Sequence, residues 1–243
     1  MANLGKFTIF IYNLFANRER FVVYVKLVID ECILIGTNSV FIVVIVSTFI
    51  GAVSAVQTAY NLISPLIPNY IIGQVVRDMT VLELAPTITC VVLAGKVGSN
   101  IAGQLGTMRI TEQIDALEVM GINSISYLVL PKILAAVITI PMLVVLAGFL
   151  SITGGFLAGT LTGIMTEVEY VKGIRADFNS FSVTFALIKS FVFAFLIASI
   201  SAYKGFYTRG GALEVGQSST QAVTNSTIAV LLADFVLAQL LLS

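Results

Sequence analysis

Apolar residues fill this chain in long uninterrupted stretches, and the polar positions bunch between them. Cys32 to Val76 carries no Asp, Glu, Lys or Arg for 45 residues, Ile133 to Thr166 none for 34, and Val215 to Ala233 none for 19. A helix crosses a hydrocarbon core of about 30 Å with roughly 20 apolar residues, so each stretch is long enough to span. Two further apolar stretches include ionisable residues: Leu82 to Gly103 holds Glu83 and Lys96, and Phe181 to Tyr203 holds Lys189. The pattern predicts five spanning helices, near residues 38–60, 82–103, 133–156, 181–203 and 218–241. Pro65 and Pro68 stop the first, because proline lacks an N–H and clashes with the preceding turn. Pro86 and Pro141 predict bends that neighbouring helices can re-satisfy.

Composition agrees with this pattern. Of 243 residues, 58% are hydrophobic and 11% charged, with 13 basic and 13 acidic side chains, and mean hydropathy is +1.01. A soluble domain carries about a quarter charged residues, so the chain is an all-α integral membrane protein. Zero net charge excludes a nucleic-acid binder, which needs a concentrated basic surface. Cys32 and Cys90 form no CxxC pair, and with no histidine in the chain neither a zinc site nor His-dependent catalysis can be assembled.

Cytoplasmic loops collect Lys and Arg. With the N-terminus inside, Lys6, Arg18, Arg20, Lys26, Arg109, Lys132, Lys204 and Arg209 lie inside, against Arg77, Lys172 and Arg175 outside. Five spans then put the C-terminus outside. Residues 1–31 form an N-terminal segment in which Phe7, Phe10, Ile11, Leu14 and Phe15 recur at helical spacing beside basic residues, as in a helix lying in the membrane interface. Asn17-Arg-Glu-Arg20 stands where a signal peptide would have small cleavage-site residues. Residues 32–243 form the spanning region.

Small residues repeat on single helix faces: Ser47, Gly51, Ala55 and Ala59; Gly98, Ala102 and Gly106; Gly155, Gly159 and Gly163. In lipid, helices associate through such close backbone approach.

Between the second and third spans, Ile110, Ile114 and Leu117 fall at i, i+4 and i+7 among Arg109, Glu112, Gln113, Asp115 and Glu118. This predicts a short amphipathic helix closed by Gly121. It is either a solvated loop helix or one that docks into a groove on a cytoplasmic partner.

Glu83-Leu-Ala-Pro86, Ala94-Gly-Lys-Val-Gly-Ser99, Gly106-Thr-Met-Arg-Ile-Thr-Glu-Gln-Ile-Asp-Ala-Leu-Glu-Val-Met-Gly121 and Leu130-Pro-Lys132, with Asp234-Phe-Val near the end, resemble the MlaE-type (YrbE-like) permeases of lipid-transporting ABC systems. The resemblance covers roughly residues 40–242. It implies a homodimer with an N-terminal interfacial helix and five spans per subunit, set in a bacterial inner membrane. It also implies a cytoplasmic ABC ATPase and a periplasmic MCE-domain protein as partners. The expected activity is movement of phospholipid or related lipid between inner membrane and envelope, maintaining outer-membrane lipid asymmetry. Residues 106–121 would be the ATPase-coupling segment, with Arg109, Glu112, Gln113, Asp115, Glu118, Met120 and Gly121 as its contacts. The chain contains no G-x-x-x-x-G-K-[ST] loop, so ATP and Mg²⁺ belong to the partner; no cofactor or metal is expected in this chain, and it is not expected to be an enzyme.

Charges at membrane depth cost at least about 2.5–3.5 kcal/mol on insertion scales. The resemblance places Glu83 near a lipid cavity, while the bare sequence also allows a hydrated carboxylate at a helix end. Lys96 and Lys189 either snorkel to the interface or pair within the bundle. Asp234 is a buried helix contact or part of the lipid path. Tyr60, Leu62 and Leu66 are cavity candidates, Tyr60 serving equally as an interfacial anchor. Relatives commonly have arginine before the Glu-Leu-x-Pro glutamate, arginine at position 96 and Ala-Glu at 103–104, where this chain has Leu82, Lys96 and Gly103-Gln104. An ion- or proton-coupled carrier using Glu83, Lys96 and Asp234, and a non-transporting envelope scaffold, are the competing readings.

Overall fold

The computed structural model describes residues 2–14, 21–62 and 68–242, and every regular element among them is helical. Five helices are long and apolar enough to cross a membrane: Val23–Asn61, Tyr70–Ile110, Ser124–Leu161, Ser180–Phe206 and Ala212–Leu241. The count matches the apolar pattern, but the first two run well beyond the charge-free stretches.

The first is α2 (Phe21–Cys32), a π-helical turn at Ile33–Thr37, and α3 (Asn38–Asn61). The charged residues Lys26, Asp30 and Glu31 therefore lie on the spanning helix, and the expected boundary at residue 31 falls inside it. The preceding interfacial element is α1 (Ala2–Asn13) alone. The second helix joins α4 (Tyr70–Met79), α5 (Thr89–Leu93) and α6 (Ser99–Ile110) through π segments at Thr80–Ile88 and Ala94–Gly98. It starts before residue 82 because the two charges there, Arg77 and Asp78, are paired with each other at 2.8 Å, and Arg77 is consumed by the fold. Arg77 is 3% exposed, and its guanidinium donates to the carbonyls of Ile174 and Ala176 at 2.8 and 2.5 Å. Those carbonyls belong to the end of α9 (Glu167–Arg175), where backbone acceptors lack partners and a cation is favoured.

The amphipathic segment is also divided. Residues 106–110 complete α6, Glu112 takes a left-handed φ of 60°, and α7 covers only Gln113–Val119. The expected stop holds: Gly121, at φ 79°, donates its N–H to Glu118 O at 3.0 Å while Ile122 N–H reaches Leu117 O at 3.1 Å, the paired bonds of a Schellman ending. Next come α8 (Ser124–Leu161), which contains Pro131 and Pro141 without interruption, then α9, α10 (Ser180–Phe206) and α11 (Ala212–Leu242). The first helix ends at Asn61, ahead of Pro65, which like Leu66 and Phe15 lies outside the described residues.

Small residues set the packing. A Cβ at Gly51 would stand 1.8 Å from Ser151 O, and one at Gly154 would stand 2.2 Å from Thr48 O, so α3 and α8 touch backbone to backbone. Ser151 Oγ adds a hydrogen bond to Ser47 O at 2.8 Å. A Cβ at Gly205 would stand 2.6 Å from Ala102 O, joining α10 to α6. Around these contacts Leu93, Ile101, Ile140, Phe193 and Ile197 form the main core, and Ala55, Ile72, Val76, Met165 and Tyr170 form a smaller one beneath α9. At the opposite end α1 buries Phe10 and Leu14 and leaves Ile9 and Tyr12 exposed, the profile of a helix lying in an interface. The bundle thus has an α9 end and an α7 end, and α1 sits at the latter.

Candidate functional site

Three ionisable residues read separately in the sequence meet between the second spanning helix, α10 and α11. Lys189 is fully buried. Its Nζ lies 2.5 Å from Asp234 Oδ1, 3.0 Å from Glu83 Oε1 and 3.1 Å from Leu82 O. An ammonium has three N–H donors, and here each has an acceptor. The Lys189 Nζ also stands 4.8 Å from the Phe185 ring centroid. Of the readings left open for Lys189, the structure selects pairing within the bundle.

Local sequence makes this geometry possible. Pro86 has no N–H to return to the preceding turn, and in that turn the Leu82 carbonyl accepts from Lys189. Glu83 and Pro86 both lie in the π segment Thr80–Ile88, a form of helix found disproportionately at functional sites. The Thr87 hydroxyl lies 3.3 Å from Glu83 Oε2 and 3.2 Å from Asp234 Oδ1, so its single hydrogen is available to either carboxylate. Two acidic side chains share the one lysine, and the cluster is not sealed in: the Glu83 side chain is 47% exposed, against 0% for Lys189. On the other face of the same helical segment, Val81 and Ala85 help line an apolar slot of about 190 Å³ with Phe149, Ile152 and Leu187.

Lys96 lies in the second π segment and donates to the Asn38 carbonyl, just after the π turn of the first helix. It does not join the triad. Tyr60 is 74% exposed, and Leu62 packs against the small cluster beneath α9, so the structure places neither beside Glu83.

A second ionic cluster went unread in the sequence. Lys132, 2% exposed, reaches Glu31 Oε1 and, at 2.6 Å, Gln104 Oε1, tying α8 to α2 and α6. The available signal was the depth of Lys132: eight residues past Ser124 puts it roughly 12 Å along the helix, inside apolar sequence and not in a loop. Gln104, where the resemblance points to a glutamate in relatives, serves as an acceptor here.

The segment expected to couple to an ATPase is pinned on one side and open on the other. Arg109 bridges the break to Asp115 at 2.6 Å and lies 6.0 Å from the Phe206 ring centroid, while Glu118 accepts a hydrogen bond from Ser124 Oγ at 2.8 Å. Glu112, Gln113, Val119, Met120 and Gly121 remain exposed, with Val119 at 89% and Met120 at 66%. Nearby, burial raises the Tyr207 phenol above its usual range, and Tyr203 adds to the effect.

Comparison with known proteins decides what this arrangement belongs to. The family model for Permease MlaE matches residues 28–240. The chain belongs to the MlaE permease family. A probable ABC transporter permease protein of Rickettsia bellii is 36% identical over 98% of this chain and 92% of its own length. One of Synechocystis sp. is 34% identical over 88% and 81%. The chloroplastic protein TRIGALACTOSYLDIACYLGLYCEROL 1 of Arabidopsis thaliana is 35% identical over 83% of this chain and 57% of its own length. This MlaE-family chain is therefore an ABC-transporter-type permease and a multi-pass membrane protein, and an ABC permease implies a separate ATPase. Among the described residues no group of three or more His, Cys, Asp or Glu could hold a metal.

Proposed function

We propose that this permease moves phospholipid or a related lipid across or out of a bacterial inner membrane, driven by a cytoplasmic ATPase docked on the exposed residues of α7. The observation that carries the reading is mechanical. Lys96 and Glu83 are strung along one helical rod, Tyr70–Ile110, and α7 is tied to the end of that rod by the Arg109–Asp115 ion pair, so a push at α7 is passed along the rod to the polar triad. From Ile110 to Glu83 that rod covers roughly 40 Å. Motion separating it from α11 would unpair Lys189 from one of its carboxylates, which makes the triad a latch between two states. The name of the Arabidopsis relative contains a glycosylated diacylglycerol, and the apolar slot beside Val81 and Ala85 suits acyl chains.

Two copies act together in this proposal. The spanning stretch of α11 is 11% buried, against 50% for α8 and α10, and it exposes Gln217, Gln221, Thr224 and Asn225, polar groups that bind helices together in lipid. The α7 end faces the cytoplasm and the C-terminus the periplasm, where an MCE-domain protein receives or delivers lipid and so maintains outer-membrane asymmetry. No ATP, Mg²⁺ or catalytic step is assigned to this chain. Lipid transfer by the reconstituted assembly tests the reading: it should stop with a hydrolysis-dead ATPase. Continued transfer driven by an ion gradient would instead favour a carrier built on the triad, and no transfer under any condition would favour a scaffold.

A further inference from the structure

At the α7 end, the N-terminal helix packs Phe10 against Tyr203, Phe206 and Tyr207 and leaves openings beside that contact. Between α1 and the end of α10 lies a cavity of about 460 Å³ lined by Lys6, Ile9, Tyr203, Tyr207 and Arg209. A neighbouring cavity of about 510 Å³ shares Tyr203 and Tyr207 and adds Lys204. Among the described residues no carboxylate lines either cavity, and neither Lys6 nor Arg209 has an ion-pair partner. Lys204 donates to Gln221 Oε1 at 3.2 Å. Two cations without an ion-pair partner among the described residues and two phenol groups thus converge on an opening whose wall includes Ile9, 60% exposed on the N-terminal helix.

We infer that this opening binds the phosphate-bearing headgroup of an anionic lipid from the adjoining leaflet. Arg and Lys supply charge-assisted donors for phosphate oxygens, and tyrosine hydroxyls sit at headgroup depth with their rings toward the acyl region. An acyl chain leaving the cavity would pass along Ile9 and Tyr12, which α1 leaves uncovered. The site is distinct from the Glu83–Lys189–Asp234 cluster, which lies toward the other end of α10 and α11, and binding here does not depend on which lipid is transported. It borders the coupling segment: Phe206, next to Tyr207, lies under the Arg109 guanidinium, and Arg109 holds Asp115 of α7. A lipid seated here therefore touches the wall against which the motor-docking segment is braced.

The chain contains no tryptophan, so Ile9→Trp introduces a single fluorescent reporter into the cavity. The full chain carrying it, in phosphatidylcholine nanodiscs, is titrated with brominated phosphatidylglycerol or brominated phosphatidylcholine, whose bromines quench tryptophan on contact. Each basic residue near a membrane surface favours an anionic lipid about fivefold, so with Lys6 and Arg209 half-quenching should need roughly 25-fold less phosphatidylglycerol. Lys6→Gln with Arg209→Gln should abolish that preference, and Lys172→Gln with Arg175→Gln, at the α9 end, should preserve it. Equal quenching by the two lipids, or a preference unmoved by the Lys6 and Arg209 changes, overturns the proposal. Displacement of the brominated lipid by millimolar inorganic phosphate also overturns it, assigning the site to the free ion.

Discussion

Lys189 Nζ stands 2.5 Å from Asp234 Oδ1, joining α10 to α11 inside the apolar bundle. A buried ion pair is weak support for stability by itself, because desolvation offsets much of the attraction. The Lys189 and Asp234 pair differs from an isolated one in having its donors complete, with Glu83 and Leu82 taking the other two. Its value therefore depends on all partners staying in place, which suits a contact made in one conformational state and broken in another.

Replacing Lys189 with Met should leave Glu83 and Asp234 facing each other without a counter-charge, at about 3–5 kcal/mol for a broken buried pair. Thermal unfolding in detergent should show a large drop. Combining it with Glu83→Gln and Asp234→Asn removes the stranded charges and should recover most of the midpoint, while ATP-driven lipid transfer stays lost. A triple variant that transports normally would show the triad to be packing alone.

The break at Glu112 gives a cleaner probe of docking than charge reversal along the segment. Glu112 occupies φ 60°, which glycine adopts without strain, so Glu112→Gly should keep the permease stable while removing one exposed carboxylate. With Met120→Ala, also on the open side, co-purification of the ATPase should fall by at least tenfold. Glu118→Lys, by contrast, should lower stability because Glu118 accepts the Ser124 hydroxyl. Unchanged ATPase recovery with the Glu112 and Met120 changes would remove α7 as the docking site.

The apolar runs carried the number of spans and the small-residue stripes carried the packing, because lipid imposes length and close backbone approach on any sequence. What they could not carry was partnership over distance. Glu83, Lys189 and Asp234 are each visible as costly charges, yet 106 residues separate the first two, and only the fold makes them neighbours. Counting charges also misplaced the helix starts: Glu31 and Arg77 looked like loop residues until Lys132 and the end of α9 accounted for them. The split at Thr111 and Glu112 was hidden by a continuous amphipathic pattern, since a left-handed glutamate leaves no mark in periodicity.

Gly51→Ala should be among the most damaging conservative changes. Its Cβ would fall 1.8 Å from Ser151 O, a backbone atom that can move only by parting α3 from α8. Overpacking of this kind costs typically 1–3 kcal/mol and more where backbone must shift. Gly95→Ala, with nothing within 4 Å of its added methyl, is the matched control. Membrane accumulation should collapse for the first and stay normal for the second.

Acidification should loosen the start of α9. The Thr166 backbone N–H and hydroxyl bond the Glu169 carboxylate at 2.8 and 2.9 Å, completing a capping box, and hold its pKa below the ordinary 4.5. A lowered native pKa contributes stability present above about 4.5 and lost as pH falls through the native value. Amide-exchange protection of residues 167–170 should therefore decline below that pH. Thr166→Ala should raise the Glu169 pKa toward 4.5 and flatten the decline.

Lys132 supplies the sharpest test of whether Gln104 matters through charge or through shape. Glu31→Gln leaves a buried ammonium with only neutral acceptors, which should cost about 3 kcal/mol or more and lower the unfolding midpoint. Gln104 lies 2.6 Å from the same nitrogen, and its side chain differs from glutamate by one charge. Adding Gln104→Glu to Glu31→Gln returns a carboxylate to Lys132 from α6 instead of α2, so the midpoint should recover by at least half. Recovery means that the cluster requires one carboxylate and tolerates either helix as its source, consistent with the chain keeping Glu31 where it lacks an acid at 104. Failure to recover would mean that the α2 attachment itself, by holding the first spanning helix against α8, is what Lys132 provides.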